Sequence, residues 1–217
     1  MESLSLLLQE SSSEIGVPLT TEQVRLFMVY LTELQSWNQS FNLTRITVDT
    51  EIVIKHFVDS IAALQADDIR IGAHILDIGT GAGFPGIPLK IARSDLTITF
   101  VEPATKRSSF LHFIIGLLRL ENVGIYNGTF ERFVEERHPD ESFDYLTTRA
   151  LKYDVILKEG KKLLRHGGKA ILYSSRPLTK SDLSSDWLMT SEYLFELQKG
   201  YGKRVVSIVA PQREASI

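Results

Sequence analysis

The chain of 217 residues contains no cysteine. That excludes a disulfide frame, a thiolate nucleophile, a cysteine-ligated zinc and an iron–sulfur cluster. Histidine is scarce too. His56, His74, His112, His138 and His166 lie far apart, with no HExxH and no i,i+4 pair, so no metal site is signalled. An excess of positive charge is also lacking: 24 Lys+Arg stand against 27 Asp+Glu, a net charge of −3. General nucleic-acid binders usually carry a strong positive excess, so any such partner must be met by a local patch. No long uncharged apolar run is present, and no membrane-spanning helix is expected. The start, Met1-Glu2-Ser3, has no basic residue, and the apolar stretch at 4–8 is too short for a signal peptide. A cytoplasmic protein is the resulting expectation. The 43% hydrophobic content is that of a globular chain able to bury a core, which excludes disordered and fibrous classes.

Residues 1–70 read as a helical segment. Thr20 with Gln23 fits a capping box, and Val24, Phe27, Met28, Leu31 and Leu34 recur at helical spacing. Trp37 and Phe41 extend that stripe to a polar break at Asn42, which favours core positions for both rings. A further helix is expected from about Asp49, with Ile52, Phe57, Ile61 and Leu64 inside. Residues 71–217 change texture. Short β-branched runs alternate with helical segments, the pattern of a parallel βαβ sheet. Strands are expected at 73–78, 96–101, 124–126, 145–148 and 169–173. Helices are expected at 85–92, after Glu102 with Phe110, Phe113, Ile114, Leu117 and Leu118 inward, and around Val155, Ile156, Leu163 and Leu164. Two closing runs, 193–197 and 204–209, flank Gly200-Tyr201-Gly202 and suggest a hairpin on the sheet edge.

The richest segment, 75–86, reads Ile-Leu-Asp-Ile-Gly-Thr-Gly-Ala-Gly-Phe-Pro-Gly. Glycines there let the backbone turn sharply and approach a ligand closely. Gly81, Gly83 and Gly86 satisfy GxGxxG, which admits NAD. Glu102, at the end of the next strand, would grip ribose hydroxyls of NAD or of S-adenosylmethionine. Asp77 separates the two, because a carboxylate beside the loop repels a pyrophosphate and attracts a methionine ammonium. Asp77, Gly79, Gly81 and Gly83 spell D-x-G-x-G-x-G, the usual opening of class I methyltransferases. Glycines serving packing alone are the remaining alternative.

Outward from that loop the chain resembles the GidB (RsmG) family of 16S ribosomal RNA guanine-N7 methyltransferases. The matching pieces are Asn42-Leu43-Thr44, His56-Phe57-Val58-Asp59-Ser60, residues 77–88, Lys106-Arg107, Phe130-Glu131, Thr148-Arg149-Ala150 and Lys203-Arg204. They follow family order and cover nearly everything after the first twenty residues. The run GTGAGFPGIPL is specific, since ordinary methyltransferases lack the Phe-Pro-Gly-Ile-Pro continuation. The resemblance implies a class I (Rossmann-like) α/β fold: a mostly parallel sheet with a C-terminal antiparallel hairpin and an N-terminal helical extension. It also implies S-adenosyl-L-methionine as cofactor and N7 of guanine 527, in the 530 loop, as acceptor. The partner would be 16S rRNA, the small ribosomal subunit or an assembly intermediate. Cofactor contacts carry over to Gly79, Phe84, Phe130, Glu131 and Arg149, with Glu102 as the ribose acid and Asp77 as the first-motif acid. Phe130 and Glu131 would meet the adenine end, partly through backbone. Arg149 would sit where cofactor and substrate meet.

Many relatives carry lysine where 173–175 reads Tyr-Ser-Ser and where this chain has Val209; both losses remove charge that could face RNA. Arg176 is a substitute for the first. N7 of guanine carries an in-plane lone pair and needs no general base, so orientation can supply about 7–11 kcal/mol. The base must leave its stack, and Phe84 is the nearest restacking candidate. Lys106 and Arg107 open a helix against its dipole, which points to RNA phosphate or to a carboxylate partner; with Arg204 they are the RNA candidates. His56 and Asp59 share a helical face and form either a hydrogen-bonded pair buttressing the site or plain core polar groups. Arg149 has a salt-bridge alternative, and Asn42 a capping one. Arg132, Lys152, Arg176, Lys203 and Arg204 have plain solvated surface charge as their alternative. Two other readings stay open: the same fold acting on another nucleic acid or a small molecule, and a nucleotide-responsive binding protein without transfer. A monomer is the default.

Overall fold

Capping chemistry and apolar periodicity build the first helices, α1 (Glu2–Glu14) and α2 (Thr21–Phe41). The computed structural model describes residues 2–136, 142–149, 153–179 and 181–212. His138, Ala150 and Lys152 lie outside them, as does the side chain of Val155. At the start of α2 the Gln23 amide donates to the Thr20 hydroxyl at 3.2 Å, while the Thr20 amide donates to Gln23 Oε1 at 2.8 Å. This reciprocal cap satisfies two otherwise orphaned N–H groups. Gln23 Nε2 also donates to the Ala92 carbonyl at 2.9 Å, tying α2 to α6 (Gly86–Ala92). Asn42 ends α2 in the left-handed conformation (φ 50°), so it is a C-terminal cap, not the start of a helix. Next come α3 (Asp49–Ile52), a π-helical turn (Val53–Val58), α4 (Asp59–Ile61) and α5 (Ala63–Ala66).

The strands are β1 (His74–Ile78), β2 (Thr97–Val101), β3 (Val123–Tyr126), β4 (Phe143–Thr148), β5 (Leu164–Ser174), β6 (Trp187–Leu197) and β7 (Gly202–Pro211). They form one sheet in the order β3-β2-β1-β4-β5-β7-β6. Pairings from β3 through β5 are parallel, and β7 runs antiparallel to both β5 and β6. The class I arrangement and its closing hairpin are therefore present. Side chains alternate across the sheet. Ile75 joins a core with Phe27, Tyr30, Phe57 and Phe110, whereas Leu76 and Ile78 join Phe133, Leu146 and Ile156 on the other face. The strand order reverses beside β1, and a ligand crevice opens at the carboxyl ends of strands where that happens. Gly79, Glu102 and Arg149 directly follow β1, β2 and β4 on that edge.

Several expectations need correcting. Helix α7 (Thr105–Leu117) leaves Phe113 39% and Leu117 46% exposed, because Phe113 packs on the Trp37 ring (5.2 Å) at the rim, not beneath the helix. Phe41 is exposed as well, so Trp37 touches the core and Phe41 does not belong to it. Leu163 and Leu164 do not continue α9 (Tyr153–Gly160). The Leu163 amide turns back to the Gly160 carbonyl at 2.9 Å, and β5 begins at Leu164. Helix α8 (Phe130–Glu136) carries no periodic signal long enough to find. Val209 is buried in β7 opposite Ala170 and Met189, so a lysine there could not face RNA. Among the described residues no helix is long and apolar enough to cross a membrane.

Candidate active site

The loop between β1 and α6 closes over Asp77. Gly83 adopts φ 104°, and a Cβ there would lie 2.4 Å from Ile87 Cδ1. At Gly86 a Cβ would meet Phe100 at 2.3 Å and Asp77 Oδ2 at 2.7 Å. Only a bare backbone lets the loop descend so far. Asp77 Oδ2 accepts hydrogen bonds from the Thr80 hydroxyl (2.7 Å) and the Gly86 amide (2.8 Å). Its other oxygen, Oδ1, is buried without a partner among the described residues. Burial pushes this carboxyl up to about 7, against the pull of its two hydrogen bonds. Glu102 is likewise buried. Oε2 accepts from the Gly81 amide at 2.8 Å and Oε1 from the Ala104 amide at 3.0 Å. Gly79 donates to the Val101 carbonyl at 2.9 Å, so the loop is strapped to the end of β2 at two points. Tyr30, fully buried on α2, donates to the Ala82 carbonyl at 2.6 Å and holds the loop from the helical side. It escaped notice in the sequence because it sits within an apolar stripe; a hydroxyl at such a position was the available signal.

Arg149 organises the other wall. Its Nη1 donates to Ser60 Oγ at 2.7 Å and to the His56 carbonyl at 3.2 Å; Nη2 donates to the Lys55 carbonyl at 2.9 Å. Nη2 also lies 3.1 Å from Asp59 Oδ2. One guanidinium thus satisfies carbonyls of the π-helical turn, where the regular helical ladder is broken. His56 and Asp59 do not hydrogen-bond each other; Arg149 bridges them. His56 Nδ1 lies 3.4 Å from Arg149 Nη2, which can only donate; this favours Nδ1 as acceptor and Nε2 as donor to Thr44 Oγ1 at 3.0 Å. Burial, reinforced by the Arg149 charge, lowers His56 to about 3, leaving a neutral ring. Burial raises the Asp59 carboxyl, opposed by Arg149 and by Arg204, whose Nε lies 3.9 Å away. Phe84 is buried and stacked on His56 (centroids 4.4 Å apart), within a group that includes Tyr30. It is therefore not free to receive an extruded base.

Other expected residues fall on the same sheet edge with different surroundings. The Phe130 side chain is buried in the core shared with Leu76, Ile78 and Phe133, while Glu131 is exposed. Their amides are the first of α8 and have no intrahelical acceptor, so backbone is what this element can offer a ligand. Arg107 Nη1 stands 3.7 Å from Glu102 Oε1, the carboxylate alternative for this residue. Lys106 lies over the Phe41 ring at 5.6 Å. Arg176 is tied to Asp182 and Arg132 to Glu136, so Arg176 does not replace the absent lysine. Arg149, Arg204, Lys55, Asp59 and Ser174 line a cleft of about 300 Å³ on this edge. No cluster able to hold a metal occurs among the described residues.

Residues 23–213 match the family model described as rRNA small subunit methyltransferase G. A protein of that name from Clostridium beijerinckii is 39% identical over 153 residues, 70% of this chain and 64% of the relative. One from Caldanaerobacter subterraneus is 36% identical over 178 residues, 82% and 74% of the two chains. The match thus spans under two thirds of the Clostridium relative. Among solved structures, cofactor-bound Rv0187 from MTB superposes with a TM-score of 0.62 at 15% identity, covering 87% of this chain and 91% of that one. TrmN from Thermus thermophilus gives 0.58 at 17% identity over 71% and 48%. At such identities the likeness concerns the fold alone.

Proposed function

The chain belongs to the GidB family, rRNA small subunit methyltransferase G, and from that premise we propose that it transfers a methyl group from S-adenosyl-L-methionine to N7 of guanine 527 in the 530 loop of 16S rRNA. The observation that carries this reading is the pair of buried carboxylates, Asp77 and Glu102, on either side of the glycine loop. A buried oxygen without a donor is costly to leave unmatched. An ammonium supplies both proton and charge to Asp77 Oδ1, whereas a pyrophosphate would add repulsion. Glu102 offers ribose hydroxyls an acceptor, and the first amides of α8, at Phe130 and Glu131, offer adenine a backbone edge.

When bound, S-adenosyl-L-methionine supplies an activated methyl on sulfonium, and N7 meets it with a lone pair that is free at neutral pH. No proton has to leave the nucleophile. The residues present match that requirement, since His56 is held neutral between Thr44 and Arg149 and is in no position to cycle a proton. The work left to the protein is orientation. Arg149, braced by the π-helical turn, presents a fixed cation on the cleft it shares with Arg204 and Lys55, which suits a base with its flanking phosphate. Small subunits or assembly intermediates are the proposed partner, because the 530 loop is presented there.

The test is transfer of label from S-adenosyl-L-methionine to unmodified small subunits and, in parallel, to naked 16S rRNA. Label in the RNA of either supports the reading, and the better acceptor identifies the assembly stage. A protein that binds the cofactor but labels neither overturns it in favour of another acceptor or of a binding protein without transfer.

A further inference from the structure

Resting on the reading above, we propose that the groove between the end of α2 and the loop at 42–47 binds unpaired ribonucleotides that flank the methylated base. The groove has a volume of about 840 Å³, far more than one side chain needs to turn in. Its polar wall comes from Asn38, Gln39, Asn42, Thr44, Arg45 and Arg107, and among the described residues no carboxylate lines it. Of its two arginines Arg107 faces Glu102 at 3.7 Å and Gln35 on the same wall is bonded to Asp49, so Arg45 is the groove's one cation without an acidic partner among the described residues. Arg45, Gln39 and Asn42 are exposed and make no side-chain hydrogen bond or ion pair among the described residues.

Amide side chains carry a donor and an acceptor side by side and can match the Watson–Crick edges of bases, which only an unpaired strand exposes. Beside the groove stands a stacking surface, Phe41, with the Lys106 ammonium 5.6 Å from its ring centre. A cation next to an exposed ring and an amide-lined channel is the composition of a single-strand site. The groove also meets the reaction site. Ile46 lines both it and the Arg149 cleft, Thr44 bonds His56, and Arg107 stands beside Glu102. A strand whose target base enters the cleft therefore has its neighbours over Arg45 and Phe41.

The test is fluorescence anisotropy with a single-stranded RNA oligonucleotide and a duplex of equal length, together with calorimetric binding of S-adenosyl-L-methionine. Arg45→Ala should weaken single-strand binding severalfold and flatten its salt slope by about 0.7. Phe41→Ala should weaken it by about tenfold, a lost base stack. Duplex binding and cofactor affinity should stay as in the unsubstituted protein. Unchanged single-strand binding in both variants overturns the proposal, as does equal weakening of the duplex. Lost cofactor affinity would also overturn it by making the groove part of the cofactor site. A protein that binds the strand here yet methylates no rRNA sinks the proposed function and leaves the groove. Normal methylation with both variants binding RNA normally does the reverse.

Discussion

Replacing Asp77 by asparagine should make the ligand-free protein more stable toward alkaline pH while weakening cofactor binding. Asp77 is fully buried, with one carboxylate oxygen bonded to Thr80 and Gly86 and the other without a partner. Burial raises its carboxyl from 3.8 to about 7. In the unfolded chain the proton leaves near the ordinary value; in the fold it stays until about neutrality. Stability therefore holds below about pH 4 and falls as pH rises toward 7, because only the unfolded chain has released its proton. At 1.36 kcal/mol per pH unit the whole loss is about 4 kcal/mol, of which about 3 kcal/mol lies between about pH 5 and pH 8. An asparagine side chain would keep the shape and the acceptor for Gly86 but would not titrate. Urea unfolding of both proteins across that interval should show Asp77→Asn flatter by about 3 kcal/mol. Calorimetry should show the unsubstituted protein binding S-adenosyl-L-methionine with proton release near pH 7, and the variant binding at least a hundredfold more weakly. Parallel stability curves, with cofactor affinity intact, would refute both the charge burden and the assigned use of the free oxygen.

Arg149→Met removes the partner of a buried carboxylate and the donor to the Lys55 and His56 carbonyls, and should cost about 3–5 kcal/mol in urea unfolding. The double variant with Asp59→Asn should cost less than the single one. His56, lowered to about 3 in the fold, contributes stability present above its ordinary 6.5 and lost as pH falls from there toward 3. His56→Gln should therefore be less acid-sensitive in thermal unfolding, and its methyl-transfer rate at saturating S-adenosyl-L-methionine, where Asp77 no longer titrates, should keep the same flat pH profile from pH 6 to 8 as the unsubstituted protein. Ser174→Lys, on the Arg149 cleft, should tighten RNA binding and steepen its salt slope by about one. Val209→Lys buries a charge in the core and should lower the melting temperature sharply without any gain in RNA affinity.

The parts legible in the sequence are those whose causes are local. Runs 73–78 and 96–101 became β1 and β2 because short apolar runs carrying Ile, Thr and Val, each closed by a polar or glycine turn, fit strands buried wholly or in large part. The capping pair Thr20 and Gln23 marked the start of α2 to the residue. Asp77 and Glu102 were legible as carboxylates flanking a glycine loop, since one strand end and one turn define each position. What stayed hidden depends on distant partners. Arg149 gathers Lys55, His56, Asp59 and Ser60 from about ninety residues away, and nothing in their own spacing announces a π-helical turn. Thr44 stood in the sequence only as the third residue of a matching run, and its hydroxyl lies 3.0 Å from His56 Nε2 in the fold. Val209 looked like a lost surface charge because strand parity near the hairpin cannot be read without knowing that β7 lies between two neighbours. Phe84 looked available for stacking because its burial depends on α2 and the π-helical turn together.

The most direct measurement is the position of the methyl group. Small-subunit rRNA treated with the protein and S-adenosyl-L-methionine should be cleaved by chemistry specific for N7-methylguanine and mapped by primer extension. A single new stop at guanine 527, absent when Asp77→Asn replaces the unsubstituted protein, is the predicted result. Methylation elsewhere, or at another atom of that base, would contradict the account.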